Sequence, residues 1–144
     1  MFALLLMQAA MAGDGEAPRW RDPPACWDGS QSELTHCAWT EYREADAAMN
    51  RQWEKTAKIL KRYDVESPPD ATRRESSLFK ALLAGQRAWL KYRDEHCRVF
   101  GAGGGSMSPM LEGICLRDIT RKRTEELAEL ASSPATGKPY FEDQ

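Results

Sequence analysis

The residues with the clearest capacity for chemistry are four cysteines, Cys26, Cys37, Cys97 and Cys115. Thiols at such positions either bind metal or pair with each other. Two of them follow a histidine, as His36-Cys37 and His96-Cys97. A structural zinc site usually shows close Cys-x-x-Cys-type spacing, and neither pair belongs to one. Disulfides are therefore expected and no metal site is. Three pairings exist for four cysteines. Cys26–Cys37 and Cys97–Cys115 are preferred, because both close short local loops. On the loop-entropy argument each contributes about 3 kcal/mol. Catalytic groups are hard to find. No Ser-His-Asp arrangement is suggested by spacing, and the carboxylates of Asp94-Glu95 are adjacent and diverge on a helix. No catalytic residue and no cofactor are expected, and the protein reads as a non-enzyme.

The second chemical feature is a pair of polar residues inside an apolar pattern. Phe79, Leu83, Gln86, Leu90, Arg93 and Cys97 follow at steps of four, three, four, three and four, which is one stripe of a helix. Leu78, Leu82, Gly85, Trp89 and Tyr92 form a neighbouring stripe, and the two together predict a broad core face. A guanidinium within that face needs carboxylates or carbonyls around it. Glu41 and Asp46 of the preceding helical segment are the candidates, with Arg123 a second cation on an apolar stripe further on. Gln86, Arg93 and Arg123 with Glu41 or Asp46 are thus expected to form a polar core network of architectural rather than catalytic purpose.

Three helices must position these groups. Ser30-Gln31-Ser32-Glu33 has capping-box spacing and predicts a helix start. Leu34, Ala38, Tyr42, Ala45, Met49, Trp53 and Leu60 continue it as one stripe. Ser67-Pro68-Pro69 reads as the start of a second helix, running to about Phe100. Gly101-Ala102-Gly103-Gly104-Gly105-Ser106 interrupts it and reads as a flexible connection, since no Gly-Lys-Ser/Thr phosphate loop is present. Ser108-Pro109 restarts a helix carrying Leu111, Cys115, Ile119, Leu116, Arg123, Leu127 and Leu130. The fold expected is all-α: three long helices packed antiparallel, stapled by two disulfides, with the Gly-rich loop between the last two.

Composition sets the outer bounds. The chain has 144 residues, 42% hydrophobic and 29% charged, enough for one domain with a core. A net charge of -2 without a basic run argues against nucleic acid. Residues 1–12 are apolar and uncharged and end in Ala10-Met11-Ala12, as a secretory signal does, although no Lys or Arg precedes the run. The alternative is a greasy N-terminus. The run is too short to span a membrane, which takes about 20 residues. Residues 13–25 read as a flexible leader, 26–131 as the folded domain and 132–144 as a disordered tail. Export to the periplasm or the medium fits the cysteine count. No stable membrane insertion is expected once a signal is removed.

Several of these residues recur as a pattern. Cys26 and Cys37, Glu44-Ala45-Asp46 with Met49-Asn50, Gln86-Arg87-Ala88-Trp89-Leu90 with Tyr92-Arg93-Asp94 and Cys97, Gly104-Gly105-Ser106, Cys115, and Thr120 with Arg123-Thr124 and Leu127 resemble the lysozyme inhibitor LprI-like family. The likeness covers about residues 26–130. It implies a small helical, disulfide-bearing exported domain and a protein partner, with a lysozyme-type glycoside hydrolase as the named candidate. Cys26 follows Asp22-Pro23-Pro24-Ala25, which is not a lipobox. Lysozymes use two carboxylates in a cleft. An inhibitor must present cations or hydrogen-bond donors to them, and Arg87, Lys91, Gly104, Gly105 and Ser106 are the candidates. The alternative is an envelope interaction or assembly factor binding another protein without inhibition. It would use exposed aromatics among Trp20, Trp27 and Trp39.

Overall fold

The computed structural model describes residues 28–66 and 77–136. Within them lie three helices, α1 (Gln31–Glu66), α2 (Leu78–Gly101) and α3 (Ser108–Thr136), with a 3-10 turn at Gly105–Met107 before the last. No strand occurs among the described residues. The fold class expected from the sequence is the one observed.

Helix α1 starts where the capping box places it. The Ser30 N–H donates to Glu33 Oε2 at 2.7 Å, and Glu33 N–H donates back to Ser30 Oγ at 3.4 Å. Its stripe buries Ala38, Ala45, Met49 and Leu60. Helix α2 begins later than expected. Its N-cap is Ser77, whose Oγ accepts from Lys80 N–H at 3.2 Å. Asp64, near the end of α1, reaches across and accepts from the N–H groups of Leu78 at 2.8 Å and Phe79 at 3.1 Å. One carboxylate thus satisfies two of the orphan donors that every helix start leaves. Ser67, the expected start, lies outside the described residues. Helix α3 opens at Ser108-Pro109 as expected and continues through Thr136 rather than fraying at Ser132.

The direction of the helices follows from who meets whom. Asp46 meets Arg93 and Met49 meets Gln86, so α1 and α2 are antiparallel. Gln86 meets Arg123 and Cys97 is bonded to Cys115, so α2 and α3 are antiparallel as well. Helices α1 and α3 consequently run parallel. Trp39 Nε1–H donates to Pro109 O at 2.9 Å at one end of that seam, and Thr56 Oγ1–H to Leu127 O at 2.8 Å towards the other. Among the described helices α1 and α3 share the most extensive contact. Gly113 lets them approach: a Cβ there would lie 3.1 Å from Ala38 Cβ. Helix α2 leans mainly on α3. The core cluster is Met49, Leu60, Leu82 and Leu127, with Trp53, Phe79, Trp89 and Leu90 packed around it.

Two expectations need correction. The second stripe of α2 does not go inward along its whole length: Gly85 is exposed and Tyr92 is 55% exposed. With only two neighbours, a helix in a three-helix fold buries a narrower face than both stripes together. The Gly-rich segment is also not a loose connection. Ala102 N–H bonds Val99 O at 3.2 Å, Gly104 N–H bonds Gly101 O at 3.1 Å and Met107 N–H bonds Gly104 O at 3.0 Å. These bonds make it a tight, built turn. Gly105 has φ +58°, the left-handed conformation that favours glycine. A Cβ on Gly104 would meet the Ser108 backbone N at 2.9 Å.

Of the two expected disulfides, Cys97–Cys115 is complete among the described residues, with Cα atoms 5.5 Å apart. Cys37 is also disulfide-bonded and fully buried. Its expected partner Cys26 lies outside the described residues.

Candidate functional site

Two constellations stand out. The first is the polar band inside the helices. The Arg93 side chain is 8% exposed and donates from Nη1 to Asp46 Oδ1 and from Nε to Asp94 Oδ1, both at 2.9 Å. Its guanidinium carbon lies 5.3 Å from the Trp89 ring centre and 5.4 Å from that of Tyr42. Arg123 covers Trp89 as well, at 5.7 Å, so two guanidinium groups share one indole. Arg123 Nε–H donates to Gln86 Oε1 at 3.0 Å and its Nη1 to Glu126 Oε2 at 2.8 Å. Gln86 is 6% exposed and turns its amide nitrogen to Met49 Sδ at 3.6 Å.

Electrostatics keep this band charged. Burial alone would push the Arg93 pKa down, but the bonds to Asp94 and Asp46 and the nearby Tyr42 outweigh it and hold it above the ordinary value. The Tyr42 phenol is pushed up, first by burial and then by Asp46 and Asp94, against the opposing pull of Arg93.

The structure splits the expected carboxylate pair. Asp46 serves Arg93, but Glu41 does not join this band. Its carboxylate, 9% exposed, accepts from Arg117 Nη1 at 2.5 Å, while Arg117 Nε–H donates to Asp118 at 2.7 Å. Arg117 is the residue the sequence reading missed. Its signal was indirect: Glu41 sits between Ala38 and Ala45 on the buried stripe of α1, so it required a cation from a helix packed on that side. Asp46 also differs from expectation in being 34% exposed, so it is not a fully buried carboxylate.

The second constellation is the outer surface of α2 and the turn beyond it. Among the described residues, the exposed large apolar side chains are Val65, Tyr92, Val99, Phe100 and Met107. Four of these five lie on the last turns of α2 or in the adjoining turn. The Gly-rich turn carries Gly105 and Ser106 exposed at its tip, while Gly104 is half-buried against Ser108 and Leu111. The Cys97–Cys115 bond closes the base of this end. Arg87 and Lys91 are exposed but lie on the shaft of α2. At 1.5 Å per residue, Arg87 is about 21 Å from the end of the helix. The expected binding residues therefore occupy two places rather than one. Lys91 borders a shallow apolar groove with Ala88, Tyr92, Glu95, His96 and Val99, and the Tyr92 and His96 rings stack with centres 5.2 Å apart.

His36 and His96 are both exposed, and no group of three His, Cys, Asp or Glu able to hold a metal occurs among the described residues. Of the aromatics named as interface candidates, Trp39 is half-buried and bonded to Pro109, which ties it to the α1–α3 seam. Trp20 and Trp27 lie outside the described residues.

Comparison with known proteins settles the family. The lysozyme inhibitor LprI family matches residues 26–127. The chain belongs to the lysozyme inhibitor LprI family. The match takes in the polar band, the Cys97–Cys115 bond and the Gly-rich turn together. An uncharacterized protein of Rhizobium meliloti (strain 1021) is 42% identical over 106 residues, covering 72% of this chain and 76% of that protein. No solved structure matches. As an LprI family domain, the protein thus has its helical framework from residues of α1, α2 and α3 and its exposed apolar residues gathered at one end. No helix among the described residues is long and apolar enough to cross a membrane.

Proposed function

We propose that the protein is an exported inhibitor or binder of a lysozyme-type muramidase and that the clamped end of the α2–α3 hairpin is what it presents. The observation carrying this reading is the position of Phe100 and Met107, 55% and 43% exposed, on either side of an ordered turn closed by a disulfide. Such a turn loses little conformational entropy on binding, because its backbone is already fixed. Gly105 and Ser106 at the tip supply backbone donors and a hydroxyl without bulk, which suits entry into a cleft lined by two carboxylates. The family name supports the same partner class. Arg87 and Lys91, on the shaft of α2, stand too far back to enter the same cleft and would contact its rim.

The polar band is architectural in this reading. Export is part of the proposal: the apolar residues 1–12 act as a signal, and the two short disulfide loops form in an oxidising compartment. Intact-mass analysis of the exported protein should show loss of about the first dozen residues.

The decisive experiment mixes oxidised protein with lysozyme and follows clearing of a cell-wall suspension. Inhibition that is lost in Phe100→Asp or Ser106→Trp, with helicity unchanged, is the expected result. Undiminished lysis in excess protein rejects inhibition and leaves a binding role towards another envelope protein.

A further inference from the structure

The outer side of α2 carries a strip that no other helix among the described residues covers. Ala81, Ala84, Gly85 and Ala88 are exposed along its first half. Tyr92, His96 and Val99 continue it along the second half. The N-terminal half of the strip is made of small residues and the C-terminal half of large ones. Gly85 sharpens the point. A glycine within a helix costs about 0.5–1 kcal/mol relative to alanine. Yet a Cβ at Gly85 would meet nothing within 4 Å, so packing among the described residues gives no reason for it.

We propose that this strip is a homodimer interface in which α2 of one copy lies antiparallel on α2 of the other. An antiparallel two-fold exchanges the two halves of the strip. Ala81 of one copy then lies opposite Val99 of the other, Ala88 opposite Tyr92 and Gly85 opposite His96, each large side chain over a small one. Ala84 lies opposite Glu95 on the other flank, where its short side chain leaves room for a longer one. The same residues contact reciprocally, as a two-fold interface requires.

Charge supports the same register. Glu95 and Arg87 stand on one flank of α2, and the two-fold brings Glu95 of each copy beside Arg87 of the other, twice per dimer. In the single chain Glu95 pairs with Arg98, both more than half exposed, so this pair is easily exchanged. Lys91 faces its own counterpart near the axis, and its flexible stem carries the ammonium out to solvent. The apolar groove of Ala88, Tyr92 and Val99 is covered in the dimer. The Gly-rich turns of the two copies point to opposite ends and stay free, so the dimer presents two clamped ends.

Sedimentation velocity of the oxidised full chain across a concentration series tests this. The expected result is a reversible shift to twice the mass of one chain. Ala88→Arg, at an exposed position that disturbs no core contact, should abolish the shift while far-UV circular dichroism stays unchanged. Arg87→Glu and Glu95→Arg should each weaken association by about tenfold, since each breaks two symmetric pairs, and combining them should restore it. A single-chain mass at every concentration overturns the proposal. So does a double charge swap no tighter than the single variants. Mass is the only readout, so the outcome is independent of whether lysozyme is inhibited.

Discussion

Replacing Arg93 separates charge from packing in the polar band. Its side chain is 8% exposed, but its carboxylate partners Asp46 and Asp94 are 34% and 56% exposed. Truncation therefore does not strand a buried carboxylate, because both acids can turn to water. Two partly solvated ion pairs contribute about 0.2–1 kcal/mol each. The contacts of the guanidinium with the Trp89 and Tyr42 rings add about 0.5–1 kcal/mol each. Arg93→Met, which keeps most of the buried stem but loses the charge and its hydrogen bonds, should cost about 1.5–4 kcal/mol on these terms. Arg93→Ala also empties the space the stem fills between Trp89 and Tyr42, which should add about 1–2 kcal/mol to the Met cost. Arg87→Ala, one helix face away and exposed, should stay under about 0.5 kcal/mol. Urea unfolding of the oxidised protein, followed by far-UV circular dichroism, measures all three from midpoints at constant slope. If Met and Ala cost the same, packing of the stem contributes nothing and the argument from burial is wrong. If Arg93→Ala unfolds like the parent yet no longer binds its partner, Arg93 belongs to the binding site and not to the framework.

Other outcomes follow from single features of the structure. Replacing Cys97 and Cys115 together by Ser should cost about 3 kcal/mol by loop entropy and should loosen the turn at 101–107, read as faster amide exchange there. Gly113→Leu should separate α1 from α3 at Ala38 and cost about 3 kcal/mol or more by overpacking, whereas Gly85→Ala, open on the single chain, should leave thermal stability unchanged or raised. Asp64 provides a pH test. Partial desolvation pushes its carboxyl up, but the Ser77 hydroxyl and the N–H groups of Phe79 and Leu78 outweigh this and hold it below the usual carboxylate value. A depressed pKa means its stabilisation is complete above the unfolded pKa of about 4 and is lost as pH falls through the lower folded value. Asp64→Asn should therefore be destabilised at neutral pH and flatter than the parent on acidification, in urea midpoints taken from pH 7 to pH 2.

The sequence by itself determined that there are three helices and where the first and last of them start, though not the Ser77 cap of α2. Helical period, the Ser30–Glu33 box, the Ser108-Pro109 restart and the cysteine spacing are local properties, written within a few residues of where they act. It also determined that Gln86, Arg93 and Arg123 needed partners, because burying a polar group without one is costly whatever the fold. Tertiary structure decided which partners these were. Glu41 and Asp46 lie five residues apart on α1 and looked interchangeable. Only the parallel seating of α3 on α1 brings Arg117 to Glu41 and leaves Asp46 for Arg93. Tertiary structure also decided which stripe of α2 stayed outside. Tyr92 and Gly85 have the spacing of core residues, and spacing is blind to how many neighbours a helix has. Because α2 leans on α3 and touches α1 less, Gly85 and Tyr92 of the second stripe meet no core among the described residues, while Leu82 and Trp89 of the same stripe do.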